Sequence, residues 1–368
     1  MTTIALSSKP HYPILDGLRG VAALLVVAFH IFEANATSHQ DQLINHGYLA
    51  VDFFFLLSGF VVAYAYDDRW QKMTIGSFFK RRLIRLQPMV IIGMLIGALF
   101  FYFHDSVLWP GISEVPIWKL LLVMVIGFTM LPVPISLDIR GWHEMYPING
   151  PGWSLFFEYI ANILYALFIR KFSNKTLAVF VFLAGCLLVH MAVVVNHGDV
   201  VGGWSLELPQ LHIGFARMLY PFFAGLLLCR VTKPFQFKNA FLWCSIMIFI
   251  ILAMPRIGGT AQLWMNGIYE SIAIIFIFPL IVFLGASGEI ENRFASRLCK
   301  FFGDISYPIY ITHYPLIYGY TAWVVGNKKP LNEALPIGIL VFISSIALAY
   351  LCLKLYDEPV RKWLKKYN

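Results

Sequence analysis

Apolar runs long enough to cross a lipid bilayer follow one another along almost the whole chain. A hydrocarbon core about 30 Å thick needs roughly 20 helical residues to cross it. Of the 368 residues, 59% are hydrophobic and only 13% are charged, whereas a soluble domain carries about 25% charged residues. The sequence therefore predicts an all-α, polytopic integral membrane protein, with residues 1–368 forming a single membrane domain.

About ten runs have this length, and polar or Pro- and Gly-rich turns separate them. The predicted spans are residues 14–33, 47–66, 84–103, 153–170, 177–195, 211–229, 240–255, 267–285, 304–325 and 335–355. A further apolar run, residues 119–132, is too short for a comfortable crossing, and Pro132 and Pro134 end it. We interpret this run as a re-entrant or interfacial segment.

The basic residues indicate how these spans are oriented. If the N-terminus is cytoplasmic and residues 119–132 do not cross, most of the 28 Lys and Arg residues fall in cytoplasmic segments, as the positive-inside rule requires. The basic residues left for the outer loops are Lys119, Arg140, Arg256, Lys328 and Lys329. This pattern predicts that both termini are cytoplasmic. It also explains the net charge of +8 without a nucleic-acid partner.

The first span carries an unusual set of ionisable residues, namely Asp16, Arg19 and His30. Charged groups inside lipid are costly and usually functional. At 100° per residue the three share one helix face, and the helical rise separates Arg19 from His30 by about 16 Å. A polar stripe therefore runs from the cytoplasmic end toward the outer half, unless Asp16 and Arg19 are only a local pair and His30 is only a satisfied interior histidine.

Two further groups of polar residues lie at span ends. Arg82 and Arg85 are one turn apart at the cytoplasmic start of the third span, where two guanidinium groups can grip phosphates or simply satisfy orientation and anionic lipids. Asp52 and Glu158 fall on the outer side, where a carboxylate can orient His30 as a general base or cap a helix. His313, inside the ninth span, is either functional or part of a hydrogen-bond network.

Other site signals are weaker. Residues 103–152 form the longest interruption between spans and contain three Trp residues, which favours a packed, site-forming loop at the membrane surface over a disordered one. The five cysteines lie singly, without a CxxC pair or a His at ligand spacing, so neither a disulfide nor a metal site is expected. Nothing matches a Gly-rich phosphate loop, a GxSxG elbow or an HExxH helix.

Five stretches together resemble the acyltransferase-3 family of membrane O-acyltransferases. They are residues 15–20 (LDGLRG) with a His eleven residues after the Arg, residues 51–60 (VDFFFLLSGF), residues 81–85 (RRLIR) ahead of Pro88, residues 153–158 (WSLFFE) and residues 306–313 (SYPIYITH). Their order and spread make the resemblance specific across essentially the whole chain.

This resemblance implies an acyl-CoA donor, most often acetyl-CoA, and an acceptor hydroxyl on a cell-surface or lipid-linked carbohydrate. It implies a bacterial inner membrane location, with glycan-assembly proteins as partners. Some relatives carry an extra extracytoplasmic SGNH-type hydrolase domain, which is not found after the last predicted helix. A second transfer step would then need a partner protein, unless the membrane domain delivers the acyl group itself.

The resemblance also assigns roles to residues. The catalytic set is His30, Arg19, Asp52 and Glu158, the donor-binding set is Arg82, Arg85 and Arg19, and the site-lining set is Trp153, Ser58, Tyr310 and His313. His30 is interpreted as a base or, alternatively, as a transient acyl carrier. The rival hypotheses are a carrier or flippase for a glycan intermediate, and the same acyl transfer to an acceptor that is not a polysaccharide.

Overall fold

The computed structural model describes residue 9, residues 11–290 and residues 292–366. Within these ranges the secondary structure is helical, and β pairing is limited to three isolated bridges. The prediction of an all-α fold is confirmed.

Fourteen α-helices follow one another in the described residues. They are α1 Pro13–Glu33, α2 Ala50–Tyr66, α3 Ile75–Phe100, α4 Ile117–Phe128, α5 Gly152–Leu167, α6 Asn174–His190, α7 Leu208–Val231, α8 Ala240–Ala253, α9 Trp264–Ile272, α10 Phe278–Ser287, α11 Arg293–Thr312, α12 Tyr314–Gly326, α13 Leu331–Cys352 and α14 Glu358–Lys366. A π-helical turn, Ala273–Ile277, joins α9 to α10, and a second one, Leu353–Asp357, joins α13 to α14. Each pair therefore forms one long helix.

Seven helical segments among the described residues are long and apolar enough to cross a membrane. They are Pro13–Glu33, Gly47–Tyr66, Ile75–His104, Asn174–Val195, Leu208–Val231, Trp264–Ser287 and Leu331–Lys366. The predicted count of ten is not confirmed, because α5 and α8 have only 16 and 14 residues and the span predicted at 304–325 is broken. The run at 119–132 forms the short helix α4, which packs along α3.

The span predicted at residues 304–325 is divided at His313 into α11 and α12, although the backbone of His313 stays in the α-helical region. Pro315 has no N–H group, so it cannot donate to the carbonyl of Ile311. The side-chain amide of Asn149 donates to that carbonyl instead, at 2.9 Å. The break is therefore stabilised by a residue from the 103–152 loop, which ties that loop to the centre of the bundle.

Close helix packing fixes the polar face of α1. Gly20 of α1 lies against the backbone of Phe302 in α11, and Gly59 of α2 lies against the backbone of Phe222 in α7. Neither site has room for a side chain, and small residues of this kind let membrane helices approach closely. The α1–α11 and α2–α7 pairs form the most extensive helix contacts among the described residues, and the candidate site residues Arg19 and Ser58 lie on these helices.

Candidate active site

Three cavities follow α1 from its first turn to its last. The basic cavity, at the first turn, is lined by Arg19, Arg81, Arg85, Lys300, Arg361 and Lys365, with His11, Asp16, Asp304, Asp357 and Glu358 among them. The central cavity is lined by Arg19, Arg82, Arg85, Glu158, Ser58 and Tyr310, with apolar residues of α2. The aromatic cavity, at the last turn, is lined by His30, Glu33, Tyr48, Trp142, Trp153, Trp204, Tyr310 and Tyr314, with Glu144 and Arg217.

Neighbouring cavities share wall residues. Arg19, Arg85 and Tyr307 line both the basic and the central cavity, and Tyr310 and Val51 line both the central and the aromatic cavity. The basic cavity has a volume of about 950 Å³, the central one about 100 Å³ and the aromatic one about 250 Å³. The series is therefore wide at its basic end and narrow in the middle.

A histidine–carboxylate pair stands in the aromatic cavity. Glu33, one turn after His30 in α1, has its Oε2 atom 2.7 Å from Nδ1 of His30. A carboxylate at Nδ1 holds the proton of a neutral imidazole on that nitrogen, so the lone pair of Nε2 is left for a substrate hydroxyl. This arrangement is that of an oriented general base.

Glu33→Gln is expected to lower turnover by about tenfold or more, though less than loss of His30 does. The amide still accepts a hydrogen bond from Nδ1, but it no longer stabilises the positive charge that forms on the imidazole during proton transfer. Steady-state kinetics should show the loss in kcat, with donor affinity unchanged. The exposed Glu333→Gln is the matched control, and native kcat in Glu33→Gln would contradict the orienting role.

Arg19 and Arg85 face the junction of the basic and central cavities. Nε of Arg19 donates to Oγ of Ser306 at 2.8 Å, and its Nη2 atom donates to Asp16 at 3.1 Å. Arg85 is exposed to the cavities and forms no hydrogen bond or ion pair with any residue that the structure describes. Among the described residues Arg85 therefore has no competing partner and is free to meet an anionic ligand.

Arg82, predicted to act with Arg85 on phosphates, is placed differently. Its side chain is buried and forms an ion pair with Glu158. Ser58 donates to the same carboxylate oxygen at 2.7 Å. The guanidinium of Arg82 therefore already has an anionic partner. Arg82 and Glu158 form part of the wall of the central cavity, and Arg85 remains the better candidate for phosphate.

Asp52 and Glu158, the two carboxylates that the sequence offers as partners of His30, each pair with an arginine, and the carboxylate beside His30 is Glu33. Asp52 is fully buried and accepts from Nη2 of Arg217 at 2.6 Å and from its Nε at 3.2 Å. Arg217 also donates to the carbonyl of Tyr48 at 2.8 Å, and its guanidinium lies 5.2 Å from the ring centre of Trp153. Asp52 therefore fixes an arginine and a tryptophan that line the aromatic cavity.

Residues of the 306–313 motif, such as Tyr307 and Tyr310, line the cavities, whereas His313 is not in the lining of any of the three. The ring of His313 lies 5.7 Å from that of His30 and is fully buried. Its Nδ1 atom is 2.8 Å from the carbonyl of Ile309, and its Nε2 atom has no partner among the described residues. Tyr310 is hydrogen-bonded to Ser154 at 2.7 Å. Tyr310, which lines both the central and the aromatic cavity, therefore stands between them.

The 103–152 loop covers the aromatic cavity. Trp109 is buried, and Trp142 and Glu144 face the cavity. Glu144 accepts a hydrogen bond from Tyr318 at 2.8 Å. Burial raises the pKa of Glu144 to about 7, although the nearby cation of Arg140 opposes this rise. The loop is therefore packed and contributes polar and aromatic groups to the site.

Three of these residues were not identified from the sequence. Glu33 was detectable, because side chains three apart on a helix are neighbours. Arg217, an arginine inside an apolar span, was a signal for a buried partner. Trp204 lies in an irregular segment before α7, and no local pattern predicts its place in the cavity.

The comparison with known proteins now bears on this geometry. The sequence profile of the acyltransferase-3 family, described as an acyltransferase domain, matches residues 12–354. The chain belongs to the acyltransferase-3 family. The resemblance inferred from the five sequence motifs is thereby confirmed. The match includes the cavity-lining helices α1, α2, α3, α5, α7, α11 and α12, whereas α14 lies beyond it.

Several curated relatives are similar in sequence to all or part of this chain. O-acetyltransferase OatA of Staphylococcus aureus is 23% identical over 96% of this chain, which spans 58% of that relative's length. Protein 2 in the picA locus of Rhizobium radiobacter is 34% identical over 50% of this chain and 97% of its own. Acyltransferase MdmB of Streptomyces mycarofaciens is 34% identical over 43% of this chain and 39% of its own. No solved structure matches significantly. These relatives support the prediction of a membrane O-acyltransferase.

Proposed function

We propose that this acyltransferase-3 protein takes an acyl group, most simply acetyl, from cytoplasmic acyl-CoA and places it on a hydroxyl of a cell-surface or lipid-linked carbohydrate. The donor binds in the basic cavity and the acceptor in the aromatic cavity. The observation that carries this proposal is the series of three cavities with shared walls that lies between the free Arg85 and the His30–Glu33 pair.

The donor assignment rests on charge and width. Coenzyme A is polyanionic at its nucleotide end and ends in a thin pantetheine arm. The wide cavity presents Arg85, which has no ion-pair partner in the described part of the chain, and charged hydrogen bonds to phosphate are among the strongest in proteins. The narrow central cavity suits the arm, so the thioester can be delivered toward His30.

The acceptor assignment rests on the lining of the aromatic cavity. Trp142, Trp153 and Trp204 offer flat apolar faces of the kind on which sugar rings stack, and Glu144 and Arg217 offer polar groups for hydroxyls. A site with apolar walls and a few placed polar groups is typical of small-molecule recognition. A carbohydrate hydroxyl would then lie beside His30.

The chemical step follows from this placement. The acceptor oxygen attacks the thioester carbonyl carbon while Nε2 of His30 takes the hydroxyl proton. A C–O bond forms, the C–S bond breaks, and the imidazolium returns the proton to the departing thiolate. In the alternative course Nε2 itself attacks the carbonyl and carries the acyl group until the hydroxyl takes it. Glu33 stabilises the charged imidazole in both.

The competing hypothesis of a glycan carrier meets an obstacle in the central cavity. A carrier must pass a sugar through the middle of the bundle, where Arg82, Glu158 and Ser58 are hydrogen-bonded together and the free volume is about 100 Å³. A thin acyl-bearing arm needs far less room than a sugar ring. The geometry therefore favours acyl transfer over passage of the acceptor.

Arg85→Gln is expected to weaken acyl-CoA binding about tenfold or more, because it removes at least one charged hydrogen bond to phosphate. Binding of acyl-CoA to the purified protein in nanodiscs measures this. Lys72→Gln, which removes an exposed cation outside the basic cavity, is the matched control.

Arg82→Gln distinguishes the role of Arg82 from that of Arg85, because it leaves Glu158 without its ion-pair partner. We expect this variant to lose stability more than it loses donor affinity. Native acyl-CoA affinity in a correctly inserted Arg85→Gln protein would count against the donor site and in favour of the carrier hypothesis.

The location follows from the same assignment. Acyl-CoA is a cytoplasmic metabolite, so the basic cavity and both termini face the cytoplasm of a bacterial inner membrane, in agreement with the distribution of basic residues. The aromatic cavity then faces the outer side, where glycan-assembly proteins can present the acceptor.

A further inference from the structure

Three cations of the basic cavity have no role in the donor site as proposed above. Arg81 lies one turn before Arg85 in α3, and Arg361 and Lys365 lie one turn apart in α14. The two helices pack against each other, and all three side chains line the basic cavity but not the central one. We call these three residues the outer basic cluster.

The cluster has unfilled hydrogen-bond donors. The buried Nε atoms of Arg81 and Arg361 have no partner among the described residues. Arg361 uses one of its other nitrogens to hold Asp357, at 2.6 Å. Lys365 is exposed and forms no ion pair within the described ranges. Because buried donors are nearly always satisfied, these atoms point to a ligand that supplies acceptor oxygens.

Position along the cavity indicates which acceptor this is. Arg19 and Arg85 line both the basic and the narrow central cavity. In a donor bound there, the diphosphate would lie beside them and the pantetheine arm would begin at this point. The outer basic cluster lines the same cavity but not the central one, so it would meet the part of the donor that does not enter the narrow junction, which is the nucleotide end. Coenzyme A carries a phosphate monoester there, on the 3′ position of its ribose.

We infer that Arg81, Arg361 and Lys365 form a phosphate-monoester site that reads the 3′-phosphate of the donor's nucleotide. The inference rests on the proposed function, because it takes coenzyme A as the occupant of the basic cavity. A phosphate monoester carries more charge than a diester and offers three strong acceptor oxygens. Cations from two helices that pack together and line one cavity match that group.

The test compares coenzyme A with 3′-dephospho-coenzyme A, which differs only in this phosphate. Purified protein in nanodiscs of zwitterionic lipid is titrated with each ligand. We expect the native protein to prefer coenzyme A by about tenfold or more. The double variant Arg81→Gln/Lys365→Gln should lose that preference by binding coenzyme A more weakly, with its affinity for the dephospho compound unchanged. Arg361 is left intact, because its removal would strand Asp357.

Lys362→Gln is the matched control, because it removes an exposed cation of α14 that does not line the cavity, and it should keep the native preference. A native protein that binds both ligands equally, or a double variant that loses both equally, overturns the 3′-phosphate site while the proposed donor stands. A double variant that keeps its affinity for coenzyme A but no longer binds anionic-lipid vesicles also overturns the 3′-phosphate site. The cluster would then be a site for lipid phosphate. If neither ligand binds the native protein, the proposed function itself fails.

Discussion

His30→Ala is expected to abolish most acyl transfer, with a fall in rate of about 10²- to 10⁴-fold, the usual contribution of a positioned base. A sugar hydroxyl is a poor nucleophile until its proton is taken, and His30 is the imidazole that Glu33 orients in the aromatic cavity. Arg85, which is proposed to hold the donor, lies at the far side of the central cavity, so acyl-CoA affinity should be unchanged. Single-turnover assays with labelled acyl-CoA measure the loss.

The control for this variant is His190→Ala, which removes an exposed histidine at the end of α6, remote in sequence from the cavity-lining residues. Both proteins should insert and purify like the native one. If His30→Ala still acylates its acceptor at near the native rate, His30 is neither the base nor an acyl carrier.

The second large effect concerns stability. Arg217→Met should lower the free energy of unfolding by about 3–5 kcal/mol, because it leaves the carboxylate of Asp52 buried without its partner. Both side chains are almost completely buried, so solvent does not screen the loss. Denaturant unfolding in mild detergent, followed by Trp fluorescence, measures the change.

A double variant, Asp52→Asn/Arg217→Met, should recover part of this stability, because it removes the buried charge together with its partner. Lys329→Gln, which breaks an exposed ion pair with Glu333, should cost little. Native stability in Arg217→Met would show that Asp52 is not held as a buried anion, and the account of the cavity wall would need revision.

Helical periodicity explains why part of the site is predictable from the sequence. Arg19 and His30 share a face of α1, and the structure places them at successive cavities along that helix. Within one helix, spacing determines which side chains share a face. The same rule makes Glu33, three residues after His30, a neighbour of that histidine.

Pairing between helices is not encoded in local spacing. Glu158 meets Arg82 across 76 residues, and Asp52 meets Arg217 across 165 residues. The sequence indicates that each group needs a partner, because isolated charges in lipid are costly, but it does not say which partner. The division of the helix at His313 is similar. Pro315 predicts that the carbonyl of Ile311 loses its helical partner. The amide of Asn149, which donates to that carbonyl, comes from a loop without a repeating pattern.

The central claim is that acyl groups pass from acyl-CoA at the basic cavity to a carbohydrate hydroxyl at the aromatic cavity. Its most direct test uses inverted membrane vesicles from cells that contain the native protein or His30→Ala. The vesicles are given acetyl-labelled acetyl-CoA, and alkali-labile label is counted in the saccharide fraction. We expect ester label with the native protein and only background with His30→Ala, whereas equal label in both preparations would contradict the account.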